Sequence, residues 1–320
     1  MSNRTPATLV MTSTLAALAV ILPAAVAQAA VPTAPAVASG AATAVSYSGA
    51  TLAGTVNPHG ASTSYYFQYG PTRAYGTQSA VAPAGEGTTA VHVSVPISGL
   101  QPAVRYHYRL VALNSVGART GGDRSFKTAS IPLSLQILGA PNPVAFGGAA
   151  TIEGTLSGTG NGNRAVVLQQ NPFPYTQGFL DVEEPHLTTP AGGFAFPVLG
   201  LTSATQFRVV TVAKPEIASP IVLEQVAPLV SIHVRHTRRP HHLRFYGTIT
   251  PNLEGMLVEV LKLGRAGPRR VGLTFARRLN ASSAHYRRVV RVRRRGVYEV
   301  LVRVTNGAQT SAYSAPIRVR

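Results

Sequence analysis

Three glycine–threonine steps, set almost a hundred residues apart, constrain this chain more than any other feature. Gly54-Thr55-Val56, Gly154-Thr155-Leu156 and Gly247-Thr248-Ile249 recur at spacings of 100 and 93 residues. Each is followed by an aromatic residue that opens an alternating apolar run. Tyr106, Phe207 and Tyr298 stand 52, 53 and 51 residues after their glycines. In the first two cases a leucine, Leu100 or Leu201, precedes the aromatic by six residues. Self-similarity at a fixed period marks tandem structural units. The 320 residues therefore divide into units at 36–129, 130–227 and 228–320.

Within each unit the apolar period is two, which is the period of a strand with one face buried. Thr63-Ser-Tyr-Tyr-Phe-Gln-Tyr69 places Tyr65, Phe67 and Tyr69 on one face, and Val91-His-Val-Ser-Val95 alternates cleanly. Gly193-Phe-Ala-Phe196 and the second half of Tyr286–Arg293 do the same. Turn residues separate these runs at Asn57–Gly60, at Gly158–Gly162, which reads as a hairpin turn, and at Arg295-Gly296. No segment carries a capped helical stripe. About seven short strands per unit, alternating in and out, is the pattern of two antiparallel sheets packed face to face. The expected fold is all-β, three tandem antiparallel β-sandwich domains.

The first unit also carries a family likeness. Ala50-Thr-Leu-Ala-Gly-Thr-Val-Asn-Pro-His-Gly60, Tyr65-Tyr-Phe-Gln-Tyr-Gly70, Leu100-Gln-Pro-Ala-Val-Arg-Tyr-His-Tyr108, Asn114-Ser-Val-Gly117 and Arg124-Ser-Phe-Lys-Thr128 together resemble a fibronectin type III domain of the secreted actinobacterial kind. The resemblance implies a tyrosine corner, with the Tyr106 hydroxyl bonded to nearby backbone. It also implies that Leu52 stands where animal members carry tryptophan. Residues 130–320 resemble bacterial Ig-like repeats more loosely, through the Gly-Thr and aromatic-strand positions. Such families are non-enzymatic spacers, adhesins or ligand-binding accessories, and this is the role that the resemblance implies.

The N-terminus reads as a secretory signal over residues 1–29. Arg4 precedes the apolar run Leu15–Leu22, Pro23 breaks it, and Ala27-Gln28-Ala29 supplies a small-x-small cleavage site before Ala30. An uncleaved anchor is the alternative. Residues 30–35 read as a flexible lead-in. No other segment is apolar for long enough to span a membrane. The last residues, Ile317–Arg320, offer no hydrophobic tail for a lipid or sorting anchor. The expected address is secreted or extracellular, with association to the cell surface as a further option, and the expected state is a monomer. The absence of cysteine removes disulfides, thiol nucleophiles and thiolate metal sites.

Charge is spread very unevenly. Residues 228–320 hold nineteen basic against three acidic residues, +16, whereas 130–227 hold three against six, −3. All but three of the basic residues are arginines; the lysines are Lys127, Lys214 and Lys262. Guanidinium forks bind phosphate and carboxylate well. Candidate polyanion-binding residues are Arg269, Arg270, Arg277, Arg278, Arg287, Arg288, Arg291, Arg293, Arg294, Arg295, Arg303 and Arg318. Along the final strands Tyr298, Val300, Val302 and Val304 should face inward, and Glu299, Leu301 and Arg303 outward. The expected partner is an anionic cell-envelope polymer or a surface protein. Nucleic acid is argued against by the absence of a recognition helix and of interleaved stacking aromatics. The plainer alternative is that arginine merely supplies the polar outer face of a sandwich in a GC-rich genome.

Catalytic machinery does not emerge. No Gly-x-Ser-x-Gly elbow and no Gly-Lys-Ser/Thr phosphate loop occur. His233, His236, His241 and His242 cluster, but Arg235, Arg238, Arg239 and Arg244 interleave them, so a solvated basic hairpin is expected rather than a metal site. Asp181, Glu183 and Glu184 lie too close in sequence to flank a sugar and read as a solvated loop, with calcium as the alternative. The expectation is no enzyme, no metal and no cofactor. An enzyme of unrecognised type is the remote alternative. The segment Asn171–Phe179 supplies a second candidate site: Phe173, Tyr175 and Phe179 in a proline-rich connection could stack on polysaccharide or protein. The alternative there is that they cover a sheet edge or pack on a neighbouring domain.

Overall fold

The computed structural model describes residues 31–292 and 295–319. The expected signal segment, the flanking Ala30, and Arg293, Arg294 and Arg320 lie outside the described residues. No helix occurs among the described residues, and none there is long and apolar enough to cross a membrane. The described residues are all-β, made of antiparallel sheets with one parallel pair among them.

Three sets of strands follow one another along the chain. The first set is β1 (Ala36–Ser39), β2 (Gly49–Asn57), β3 (Thr63–Gly70), β4 (Val91–Ser98), β5 (Arg105–Leu113) and β6 (Arg124–Lys127). β1, β2 and β4 form one sheet in that order. β3, β5 and β6 belong to the other, with short strands at Thr77–Gln78, Ala82–Gly85 and Ala118–Thr120. The second set is β7 (Ser134–Ala140), β8 (Gly148–Ser157), β9 (Ala165–Pro172), β10 (Gly193–Leu201), β11 (Thr205–Thr211) and β12 (Val222–Glu224). It repeats the layout: β7–β8–β10 against β9–β11–β12. The third set is β13 (His233–His236), β14 (His242–Thr250), β15 (Leu257–Gly264), β16 (Gly267–Phe275), β17 (Arg277–Arg278), β18 (Ala284–Arg291), β19 (Gly296–Arg303) and β20 (Ile317–Val319). Here β13, β14, β18 and β17 lie side by side in one sheet, and β16, β15, β19 and β20 in the other. Each set thus begins in one sheet, crosses, returns and crosses again. Gly158–Gly162 lies on the first of these crossings, joining β8 to β9 in different sheets, so it is not a hairpin turn.

The chain separates into two compact units. One holds the residues up to Val45 with Gly49–Ser98 and Arg105–Phe126; the other holds Ser46–Ser48, Gly99–Val104 and Lys127–Arg320. In the first unit Leu52, Val56, Phe67 and Leu110 are fully enclosed between the sheets. The second unit contains two cores. One gathers Ile152, Leu156, Leu168, Phe196, Phe207 and Val209. The other gathers Phe245, Ile249, Val258, Tyr286, Tyr298, Val300 and Val302. Each such side chain contributes about 1.5–3 kcal/mol by leaving water, which is how cores without disulfides hold.

The repeated glycines have one physical cause. A β-carbon on Gly54 would strike the Ala38 carbonyl and the Leu110 side chain. On Gly154 it would strike the Gln136 carbonyl and the Phe194 ring, and on Gly247 the Ser231 carbonyl and the Tyr286 ring. At each point the preceding chain segment passes over the glycine, and a core side chain fills the space below. Only glycine allows both approaches.

Candidate functional site

The arginines of the third strand set are not one group. Strand alternation and pairing sort them onto two sheets. On β14, Leu243, Phe245, Gly247 and Ile249 are buried, so Arg244, Tyr246 and Thr248 point away from the core. β18 pairs with β14 in the register Tyr246↔Arg287, Arg244↔Val289 and His242↔Arg291. Residues directly opposite share a face, so Arg287 and Arg291 join Arg244. β13 adds Arg235 opposite Arg244 and His233 opposite Tyr246. β17 adds Arg277 opposite His285. One sheet face therefore carries Arg235, Arg244, Arg277, Arg287 and Arg291, all exposed. The acidic residues after position 228 are Glu254, Glu259 and Glu299. Glu259 and Glu299 lie on β15 and β19 of the other sheet, and Glu254 lies in the connection between β14 and β15. Among the described residues, the five guanidinium groups thus share their face with no carboxylate.

The remaining candidate arginines are placed differently. Arg303 donates from Nε to Glu259 at 3.1 Å, and Arg270 approaches the same carboxylate at 4.0 Å. Glu259 thus pairs with Arg303 and offsets one of these two charges, on the outer face of the β15 sheet. Arg318, on β20, belongs to that sheet as well. Arg269 stands opposite Lys262, near enough to the Tyr298 hydroxyl to oppose the upward push that burial gives its pKa. Arg278 and Arg288 sit opposite Ala284 and Phe245, at core-side positions of the sheet where their long side chains still reach solvent. Arg295 lines an end cleft of about 280 Å³ with His236, His241, His242 and Arg239. Leu301 corrects the expected alternation: it is buried, not outward-exposed. It stands opposite Glu259 and Tyr313, and the side chains of that outer layer enclose it.

The histidine cluster divides. His233 tilts over the Tyr246 ring, with centroids 5.4 Å apart, and Arg235 lies 5.7 Å from the same ring. The other three line the end cleft. Among the described residues, no three metal-ligating side chains converge. Of the acidic group, Asp181 accepts a hydrogen bond from Gln169 at 2.8 Å, and Glu183 lies 3.6 Å from His186.

The aromatic segment is half-buried rather than open. Asn171 and Pro172 belong to β9; the connection begins at Phe173. Phe173 meets Tyr175 edge-on at 5.6 Å. It also occupies the space that a β-carbon on Gly307, in the third strand set, would need. Phe179 lies under the Arg208 guanidinium at 4.3 Å.

That last contact belongs to an arrangement that sequence reasoning missed. Arg208 Nε donates to Gln169 across β9 and β11 at 2.8 Å. In the first strand set, Arg109 donates to Gln68 across β3 and β5 at 2.8 Å and covers the Tyr75 ring at 4.8 Å. In the third, Arg303 and Glu259 bridge β15 and β19. An arginine clamp on the outer face of the second sheet thus recurs in every set. The spacing Gln68/Gln169 and Arg109/Arg208 was its signal in the sequence. Tyr106 packs flat on Phe126, with centroids 5.9 Å apart. The Tyr108 hydroxyl reaches back to the Gly40 carbonyl at 2.6 Å, and the Tyr286 hydroxyl makes the like bond to Ser231 at 2.7 Å.

No known family profile matches the chain, and no curated protein matches it either. Among solved structures, titin domains A168–A170 are similar over 89% of this chain and 99% of theirs, at 14% identity and a TM-score of 0.38. The FN1–FN3 domains of chicken CNTN1 match over 90% and 98%, at 14% identity and 0.27. A tetra-tandem repeat from the extending region of a large adhesion protein matches over 91% and 74%, at 11% and 0.31. The fold rests on the strand pairing itself.

Proposed function

We propose that the chain is an exported, non-enzymatic structural or adhesive protein of the bacterial surface. Its three sandwich modules, at 36–129, 130–227 and 228–320, act as spacer and attachment, and the last docks on an anionic envelope polymer. One observation carries this reading: five arginines share a sheet face with no carboxylate among the described residues, while on the opposite sheet Arg303 is paired with Glu259 and Arg270 lies beside the same carboxylate. Like charges gathered on one face repel one another, and an anionic polymer laid on that face relieves the repulsion. The alternative that uses Phe173, Tyr175 and Phe179 on polysaccharide or protein has less support, because Phe173 is spent on Gly307 and Phe179 on Arg208.

The test is sedimentation of the chain with isolated cell envelopes across a salt series. Binding should be strong at low salt and fall steeply by about 0.3 M, where the screening length has shrunk to a few ångströms. Salt-independent binding would point away from the arginines, and no binding would leave a passive spacer.

A further inference from the structure

From the layout of the basic face we infer its ligand class: a linear phosphodiester polymer of polyol units, recognised by its backbone charge alone. The inference rests on the docking role proposed above and narrows it. Adjacent strands lie about 4.8 Å apart and alternate residues on one strand about 6.8 Å apart. Arg277 and Arg287 are one strand over and two residues along, and so are Arg287 and Arg244, and Arg244 and Arg291. The four form a diagonal row that turns back at Arg244, with steps of about 8 Å each, and Arg235 lies beside Arg244. Two phosphorus atoms linked through a three-carbon polyol are separated by six backbone bonds, about 7 Å when extended. Flexible arginine side chains absorb the remaining difference, so successive phosphates can each meet a guanidinium fork.

Carboxylate polysaccharides and single-stranded nucleic acid fit less well. Both present rings, and their binding sites use open aromatic faces. The aromatic on this face, Tyr246, is half-buried, flanked by His233 and Arg235. What surrounds it is charge, Thr248, the apolar Val289 and the half-buried imidazoles of His242 and His285. Such a face reads charge spacing and leaves ring faces unread.

The experiment measures binding of the full chain to three fluorescent probes at several salt concentrations: poly(glycerol phosphate), polygalacturonate and oligo-dT. Two variants of equal net charge accompany it. Arg287→Glu with Arg291→Glu reverses the face. Arg119→Glu with Arg265→Glu reverses exposed arginines elsewhere. The expected result is tightest binding to poly(glycerol phosphate), with the logarithmic salt slope reduced by about two in the face variant and nearly unchanged in the control. Polygalacturonate or oligo-dT binding as tightly, with the same sensitivity to the face variant, overturns the ligand class and leaves polyanion docking standing. Equal losses in both variants, or no binding to any probe, overturns the docking reading as well.

Discussion

Glu224 is a carboxyl buried in the second strand set at a cost. It is 0% exposed, and neither carboxylate oxygen has a hydrogen-bond partner. It fits only because Gly139 lacks a β-carbon, which would coincide with the carboxyl group. Burial pushes its pKa up. A group whose folded pKa exceeds its unfolded value of about 4.3 contributes its stability below that value and loses it as pH rises through the folded pKa. Glu224→Gln keeps the shape and cannot ionise. It should therefore match the parent in stability below about pH 4 and exceed it by about 1–3 kcal/mol at pH 7, read from denaturant midpoints at the two pH values. A gap that does not change with pH would mean that the carboxyl is not desolvated. The repeated glycines give a second test: Gly154→Ala should cost at least about 1–3 kcal/mol through overpacking, measured by denaturant unfolding, because backbone on one side and Phe194 on the other leave no room. These glycines are legible in the sequence alone, because their repeat spacing marks them. Glu224 is not, because nothing local distinguishes an acid on a buried side of a strand from one on a solvated side. The Tyr108 bond shows the same limit: only the path of Gly40 decides that its hydroxyl reaches that carbonyl.

At the level of strands, period-two alternation located the elements, but sheet membership decided what the arginines do. Arg270 and Arg291 look alike in sequence; one lies on β16 beside a buried carboxylate and the other on β18 beside none. Only the order of strands across the fold, a non-local property, separates them. Arg244 and Arg235 do not stand out as binding residues in the sequence for a related reason: there they are neighbours of histidines, and in the sheet they complete the basic face. The clamp between β15 and β19 makes the contrast measurable. Arg303→Gln removes the 3.1 Å bond to Glu259, a carboxylate that is itself buried. It should cost about 1–2 kcal/mol, moderated by the exposure of the arginine and by salt, while leaving polyanion binding unchanged. Denaturant unfolding and the poly(glycerol phosphate) assay together check both halves. Lost binding at unchanged stability would move the docking site to the β15 sheet.

Across the second compact unit, the two apolar cores are joined by a short set of contacts. Ala204 donates its N–H to the Ala308 carbonyl at 2.6 Å, and Thr310 donates to Val226 at 2.8 Å. The Gln309 side chain donates to Thr202 at 2.9 Å, and Phe173 packs on Gly307. All four involve residues 307–310, the connection that follows β19, so one turn of the third strand set closes on the second. The aromatic segment that sequence reasoning offered as a ligand site serves here as a joint. Its alternative role, packing on a neighbouring module, was visible as an option, but no residue in 171–179 names Gly307 as its partner. Gly307 has φ +79°, and a β-carbon there would meet the Phe173 ring. Gly307→Ala therefore adds backbone strain of about 1 kcal/mol and displaces the ring from the joint. If the joint couples the two cores, they unfold together in the parent chain and separately in the variant. Calorimetry should then show one more transition for Gly307→Ala than for the parent, while Phe179→Ala, on the far side of the same connection and packed on Arg208, should leave the number of transitions unchanged. An unchanged thermogram in Gly307→Ala would mean that the contact of Phe173 with Gly307 is not what couples the two cores.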